Sequence, residues 1–318
     1  MYGLTQGFGP LVEHTAATDS GRQAAGLLDH LTSGQGPALP PQVARTMVWL
    51  RLHGMALGHS AAAPEVWQAL AEQWNAGFTP VVPQDGSLSA SGDLVPLAHA
   101  AQAAAGRGQA WRRDTDGTWH QEPSADWLRR HGTAPVEWDA RSALAFVNGT
   151  SACLARALHN HAGLAALASA VAEGTGRLTA LLGASPEPYD DRLSAVRRQA
   201  GQRRAAALIR AAPDAGGAGQ GARRLQEPYS LRCAPQVVGA VLDQLSFQGV
   251  CWARRPRAAP TTRSSWTARS CTAATSTPRR SRSPPSSTCS VCTSSPSWRN
   301  GNSPWCWIPR TTEGSRRC

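Results

Sequence analysis

Apolar residues recur at helical spacing through most of the first 250 residues of this 318-residue chain. Side chains three and four positions apart share one face of a helix, so such runs predict amphipathic helices. The pattern predicts helices over residues 43–57, 64–74, 94–105, 151–182, 190–212 and 235–245. A turn at Asp116-Gly117, with Trp111 and Trp119 on either side, predicts a small hairpin. Strands and helices do not alternate, so the expected fold class is mainly α.

Residues 251–318 differ from the rest of the chain in composition. They contain no Leu, six of the eight Cys, and twelve Arg against a single acid, Glu313, so they hold the whole net charge of +11. Such a segment buries too little apolar surface to offset its chain entropy, and we expect a disordered tail. Only Cys289 and Cys292 have a ligand-like spacing, and no His accompanies them, so no metal site is expected.

The tail resembles coding sequence read in the wrong frame. The chain lacks Lys, which is typical of a GC-rich gene. We rebuilt the codons with G or C wherever the code is free and shifted the frame by two bases. The segment from Ala258 then reads GADNPLVLDGE, that from Thr267 reads GEVLHGGNFYAEAVAFAA, and that from Arg299 reads ERQLALVLDPAYNRGLPAM. These peptides are Leu-rich and compatible with helices, so we interpret the tail as frameshifted. The alternative is a genuine basic, disordered tail.

The distribution of charge limits the possible partners. Nucleic-acid binding would depend on the tail alone, because acids and Arg balance in the first 250 residues. No apolar run is long enough to span a bilayer, and no signal-peptide pattern is present. We therefore expect a cytoplasmic protein without a nucleic-acid or membrane partner.

The stretch GSLSASGDLVPLAHA, residues 86–100, places Ala90, Ser91 and Gly92 directly before an acid and a predicted helix. Gly92 lacks a Cβ, so its nitrogen can approach a preceding carbonyl closely, and the Ser91 hydroxyl can leave as water. The stretch resembles GSVGASGDLAPLAH of the aromatic amino-acid ammonia-lyases and aminomutases, with Ser89 where the family usually has Gly. The resemblance implies that Ala90-Ser91-Gly92 cyclises to the electrophile 4-methylideneimidazol-5-one (MIO), without a metal.

Three further segments resemble this family in the same order along the chain. YGLTQGFGPL is similar to the lid-loop motif, which implies that Tyr2 is the base removing the β-proton. FVNGTSA matches the segment whose Asn contacts the MIO group and the substrate, here Asn148. QEPYSLRCAPQ is similar to QDAYSLRCAPQ, which implies that Gln226 and Tyr229 border the MIO group. In the same segment, Arg232 would hold the substrate carboxylate, for which a guanidinium fork is suited.

The pair His30-Leu31 bears on the substrate. Tyrosine-selective members of the family have His-Leu here, phenylalanine-selective members Phe-Leu and histidine-selective members Ser-His. An imidazole can pair with a phenol hydroxyl. The resemblance thus implies an MIO-dependent ammonia-lyase for an aromatic L-amino acid, with conversion of tyrosine to p-coumarate favoured. Alternatives are a histidine or phenylalanine ammonia-lyase, a tyrosine 2,3-aminomutase or an inactive lyase fragment. A basic nucleic-acid-binding protein is a distant alternative.

The resemblance also implies an architecture. We expect a long helical bundle like that of fumarase and aspartase, with a small N-terminal region bearing the MIO group, in a homotetramer. Residues 1–140 would hold the lid and MIO loops, residues 141–250 the first part of the central bundle, and residues 251–318 the out-of-frame tail. Met1 directly precedes Tyr2, where relatives often have Val, so we expect a chain truncated at both ends and an incomplete bundle.

Overall fold

The computed structural model describes residues 6–9, 13–15, 18–88, 92–212 and 225–254. The helices in these ranges are α1 (Ser20–Leu31), α2 (Pro41–Ala56), α3 (Pro64–Asn75), α4 (Leu94–Ala104), α5 (Ser124–Arg130), α6 (Ala140–Val147), α7 (Ser151–Leu181), α8 (Asp191–Arg197), α9 (Ala200–Arg210), α10 (Tyr229–Arg232) and α11 (Ala234–Arg254). The strands are β1 (Gln35–Ala38), β2 (Pro83–Asp85), β3 (Gln109–Arg113) and β4 (Trp119–Pro123). The prediction of a mainly α fold is confirmed.

Two apolar clusters hold these helices together. The first is built mainly from α1 to α6 and the start of α7, with Leu28, Met47, Leu97 and Phe146 among its buried side chains. The second joins α7, α9 and α11. Helix α4 is rich in small apolar residues, most of them buried, which lets neighbouring helices approach it closely. The segment just before α4, which contains the ASG motif, is therefore attached to a rigid central helix.

Most of the predicted elements are present at nearly the expected bounds. The predicted hairpin is the antiparallel pair of β3 and β4, whose turn has Gly117 at φ +88°. Helix α7 runs without interruption through Gly174-Thr175-Gly176, although glycine has a low helix propensity. A Cβ on Gly176 would overlap the Ile209 carbonyl, so this glycine lets α9 lie close to α7. The free energy gained by this close packing outweighs the cost of the low helix propensity of glycine.

One predicted helix, over residues 190–212, is wrong as a single element. The structure divides it into α8 and α9, because Arg198 adopts a left-handed conformation at φ +58°. The Asp190 side chain caps the start of α8, and Arg203 on α9 pairs with Asp191 at 2.8 Å. A hydrophobic pattern does not detect a single left-handed residue between two consecutive helices.

The antiparallel pair of β1 and β2 was not predicted from the sequence. Its strands pair Gln35 with Asp85 and Ala38 with Pro83, far apart along the chain. Strand β1 begins shortly after His30-Leu31, and β2 ends just before the ASG stretch. The pair therefore connects the segment expected to choose the substrate with the segment expected to form the cofactor.

Candidate active site

Gly92 occupies a position that only glycine fits. Its φ is +110°, and a Cβ there would lie 2.9 Å from the carbonyl oxygen and 3.0 Å from the nitrogen of Gly149. Both the left-handed backbone and the close approach exclude a side chain. The other residues of the motif, Ala90 and Ser91, lie outside the described residues. A backbone crowded in this way fits a segment whose glycine nitrogen has to approach a preceding carbonyl.

Asp93 fastens this loop to the neighbouring helices. Its side chain is 0% exposed, and its amide donates to the Gly149 carbonyl at 2.6 Å. The carboxylate accepts hydrogen bonds from the Ser87 hydroxyl at 2.9 Å, the Cys153 amide at 2.9 Å and the Cys153 thiol at 3.0 Å. These donors replace the water that the buried carboxylate has lost. Asp93 was not among the predicted site residues, although the sequence places this acid directly after the glycine.

Asn148 directly follows α6 and precedes Gly149, the residue that contacts Gly92. The Asp139 side chain caps the start of this helix by accepting hydrogen bonds from the amides of Arg141 and Ser142. At the other end, the backbone amide and side-chain Nδ2 of Asn148 both donate to Leu144, at 3.2 and 3.1 Å. The residue that follows, Gly149, contacts Gly92. The structure thus brings together two of the predicted site residues from segments more than fifty positions apart.

Tyr229 and Arg232 form a second group on the short helix α10. The Arg232 guanidinium lies 4.2 Å from the centroid of the Tyr229 ring, a cation–π contact. Tyr229 is 70% exposed, and Gln226 is exposed just before the helix. Leu231, between the two site residues, is buried, and its carbonyl accepts a hydrogen bond from the Tyr189 hydroxyl at 3.1 Å. The buried residue fixes α10 while its neighbours remain accessible.

His30 and Leu31 form the last turn of α1, where His30 is exposed and Leu31 packs against the first apolar cluster. Asp29 accepts a hydrogen bond from Gln102 at 2.6 Å and pairs with Arg107 at 3.3 Å. Gln102 lies on α4 and Arg107 follows it. The end of α1 is therefore held directly against the helix that carries the ASG motif.

The predicted site residues do not form one enclosed site in the described part of the chain. Gly92 contacts Gly149, the residue after Asn148, and Arg232 contacts the Tyr229 ring. No hydrogen bond, ion pair or ring contact among the described residues links these pairs to each other, to His30 or to Gln226. Tyr2, like Ala90 and Ser91, lies outside the described residues. A groove of about 400 Å³ contains none of the predicted site residues and is lined by Gln42, Arg45, Thr46, Trp49 and Trp74.

Within the described ranges, no group of three or more His, Cys, Asp or Glu side chains is arranged to hold a metal ion. No helix there is both long and apolar enough to cross a bilayer.

Tyrosine and histidine ammonia-lyases are among the known proteins that are similar to this chain. A tyrosine ammonia-lyase of Cereibacter sphaeroides is 39% identical over 264 residues, covering 78% of this chain and 50% of that protein. A histidine ammonia-lyase of Streptomyces coelicolor is 37% identical over 257 residues, covering 79% and 49%. The chain therefore spans about half the length of the curated relatives it matches.

Solved structures of an aminomutase and an ammonia-lyase are also similar to this chain. A tyrosine aminomutase from Streptomyces globisporus superimposes with a TM-score of 0.71 at 29% identity, covering 82% of this chain and 52% of that one. A histidine ammonia-lyase from Trypanosoma cruzi gives 0.68 at 25% identity, covering 82% and 47%. The expected ammonia-lyase type of helical fold is confirmed. The family described as aromatic amino acid lyase matches residues 1–249, and the chain belongs to it.

Proposed function

We propose that this chain is part of an MIO-dependent ammonia-lyase that eliminates ammonia from an aromatic L-amino acid without a redox change. The observation that carries the proposal is the contact between Gly92 and Gly149, beside Asn148. It presses the last residue of an Ala-Ser-Gly motif against the segment expected to contact the cofactor. The left-handed φ of +110° supports a specialised loop over an ordinary helix start.

The proposed roles follow the positions of the side chains. The MIO group, once formed from Ala90, Ser91 and Gly92, supplies an electrophile for the substrate amine. Asn148 would contact the substrate beside this group. The Arg232 guanidinium would hold the substrate carboxylate with two parallel hydrogen bonds.

Three residues complete the proposed site. Tyr2 would remove the β-proton of the substrate. Gln226 and Tyr229 would border the MIO group, and their exposure in the single chain leaves them accessible to a substrate. Proton removal and departure of ammonia together form the carbon–carbon double bond of the product, with no change in overall oxidation level.

Tyrosine is the favoured substrate, with p-coumarate and ammonia as products. The support is the pair His30-Leu31, because an exposed imidazole at the end of α1 can hydrogen-bond a phenol hydroxyl. The relatives do not separate the substrates, since tyrosine and histidine ammonia-lyases match at 39% and 37% identity. A histidine or phenylalanine ammonia-lyase remains an alternative. So does a tyrosine aminomutase, which the likeness to a solved enzyme of that name favours.

We further propose a homotetramer as the active form. Exposed apolar side chains occur along the two longest helices, where they would be costly in an isolated chain. They include Leu164, Leu167, Val171, Leu178, Val237, Val241 and Phe247. The separation of Tyr229 and Arg232 from Gly92 also fits a site completed by other subunits. If assembly fails, the chain is an inactive lyase fragment.

Measuring the mass of the intact 318-residue chain tests the cofactor. We expect the wild type to be lighter than its sequence mass by two waters. The Ser91→Ala variant should not reach that mass, because it has no hydroxyl to lose. Incubation with tyrosine, phenylalanine and histidine, followed by chromatography of the unsaturated acids, then tests the substrate order. Full sequence mass in both proteins would refute MIO formation in this chain.

A further inference from the structure

Arg51 is a buried cation without a compensating anion. Its side chain, on α2, is 3% exposed, and one guanidinium nitrogen donates to the Ala145 carbonyl. Its Nε atom finds no partner among the described residues, and no described carboxylate forms an ion pair with it. Burial lowers the pKa of the Arg51 guanidinium to about 10. An uncompensated buried charge is costly, so its presence among apolar neighbours requires an explanation.

The guanidinium lies against the turn between α6 and α7. Ala145, its hydrogen-bond partner, is in the last turn of α6, three residues before Asn148. A Cβ built on Gly149 would overlap the guanidinium, with the Arg51 Cζ atom only 3.1 Å away. Glycine at position 149 thus makes room for Arg51. Gly149 has Arg51 against its α-carbon, while its amide nitrogen and carbonyl oxygen face Gly92.

We propose that Arg51 is a positioning residue for formation of the MIO group, an inference that rests on the proposed function. It holds the Asn148-Gly149 turn in the place from which Gly149 presses on Gly92. The same turn accepts the hydrogen bond from the Asp93 amide, which fixes the peptide unit directly after Gly92. Removing the guanidinium leaves the turn free to move into the vacated space and releases the pressure on Gly92.

The reaction that needs this positioning is a cyclisation with balanced atoms. The Gly92 nitrogen forms one bond to the carbonyl carbon of Ala90. The first water takes the Ala90 oxygen and the amide hydrogens of Ser91 and Gly92, and a carbon–nitrogen double bond remains. The second water takes the Ser91 hydroxyl and its α-hydrogen. No oxidant is required, so the rate depends on how closely the nitrogen and the carbonyl carbon are held.

A purely structural role for Arg51 predicts a different result. Replacing a buried, poorly compensated charge by an apolar side chain of similar length is often neutral or stabilising. If the role of Arg51 is purely structural, the substitution changes at most the stability of the chain and leaves dehydration unchanged. A positioning Arg51 would affect dehydration and leave cooperative unfolding intact.

The test compares four forms of the 318-residue chain: wild type, Arg51→Met, Arg51→Lys and the control Arg45→Met. Arg45 is on the same helix, but its guanidinium lies 4.2 Å from the Trp74 ring and donates to the Trp74 carbonyl, away from the turn. We measure intact mass, thermal unfolding and hydrogen exchange of the Asp93 amide. In Arg51→Met we expect about tenfold less dehydrated chain and about tenfold faster Asp93 exchange, with cooperative unfolding retained. Arg51→Lys should be intermediate, and Arg45→Met should be dehydrated like the wild type.

Dehydration and Asp93 exchange at wild-type levels in Arg51→Met would overturn the proposal. If the wild type is not dehydrated, the MIO group does not form in this chain. Hydrogen exchange of the Asp93 amide alone then decides the role of Arg51. Faster exchange in Arg51→Met than in the wild type supports the role, and unchanged exchange overturns it. If Arg51→Met does not unfold cooperatively, Arg51→Lys decides by the same two measurements.

Discussion

At the residue scale, His99 is held as a neutral imidazole. It is half-buried on α4, and its Nε2 accepts a hydrogen bond from the Gly34 amide at 3.1 Å. An accepting Nε2 places the proton of the neutral ring on Nδ1. A Cβ on Gly34 would lie 2.9 Å from Nε2, so glycine is needed for this contact. Because Gly34 closely follows His30, the contact ties the segment expected to choose the substrate to the helix after the ASG motif.

The His99 contact predicts a loss of stability in mild acid. Burial lowers the pKa of His99 below its ordinary value of 6.5. As the pH falls below about 6.5, the unfolded chain takes up this proton before the folded chain does. The contribution of His99 to the free energy of unfolding is therefore lost as the pH falls, until the pH reaches the pKa of the folded form. The slope cannot exceed about 1.4 kcal/mol per pH unit for this single proton.

Urea unfolding at pH 7.5 and 5.5 measures this effect. We expect His99→Gln, which keeps an acceptor but does not titrate, to lose less stability between these two values than the wild type. His120→Gln is the control, because His120 is half exposed and pairs with Asp114 on the surface hairpin. An equal loss in the wild type and His99→Gln would show that His99 does not cause the acid sensitivity.

Single residues also show where sequence reasoning works and where it fails. Gly92 and Asn148 were predicted because a short local motif surrounds each of them. Arg51 was not, because a charged residue within a helical pattern is normally solvent-exposed. Its contacts, Ala145 and Gly149, lie more than ninety positions further along the chain, so only the folded structure shows that it is buried. The same holds for Asp93, whose donor Cys153 is sixty positions away.

At the scale of elements, α10 depends on its anchors. A helix of four residues is not stable by itself, because too few hydrogen bonds offset the cost of its first turn. The anchor is Tyr189, which is 2% exposed and whose hydroxyl donates to the Leu231 carbonyl. The same hydroxyl lies 3.0 Å from the Thr179 hydroxyl on α7. Burial raises the pKa of Tyr189, so the phenol keeps its proton at neutral pH.

Replacing Tyr189 by Phe should therefore loosen α10. We expect a loss of about 1 kcal/mol in the free energy of unfolding in urea, since the Leu231 carbonyl loses the hydrogen bond from the phenol hydroxyl. Hydrogen exchange in α10 should become faster. Tyr229→Phe is the matched control, because no hydrogen bond to the exposed Tyr229 hydroxyl occurs among the described residues. That variant should stay within about 0.5 kcal/mol of the wild type. Equal effects of the two substitutions would rule out Tyr189 as the anchor.

Elements were predictable to the extent that their causes are local. Helix α7 and the hairpin of β3 and β4 follow from periodicity and from the turn residues Asp116 and Gly117. The pair of β1 and β2 is made of three- and four-residue strands whose pairing depends on the positions of α1 and α4. The break at Arg198 likewise reflects how α8 and α9 pack, and hydrophobic spacing carries no signal for it.

At the scale of the whole molecule, three observations meet near residue 250. The family match ends at residue 249, while α11 continues to Arg254 without interruption. The amino-acid composition changes at the same place. Helix α11 also exposes Val241, Phe247 and Val250, which are apolar residues that a bundle would cover. We propose that a change of reading frame within this helix underlies these observations.

We therefore predict that the gene, read in the shifted frame after about codon 250, stays open through segments encoding GGNF and ERQL. Genomic resequencing of this region tests the reading frame, and a stop codon in the shifted frame before the codon of Trp307 would exclude it.

A protein expressed in the restored frame should gain helices that cover the exposed faces of α7 and α11. Light scattering should then report a tetramer, whereas the 318-residue chain should bind more of a hydrophobic dye and assemble irregularly. A restored segment that covers these faces should change both dye binding and assembly, because buried apolar area drives association. Equal dye binding and equal assembly of the two proteins would therefore show that the segment does not cover them.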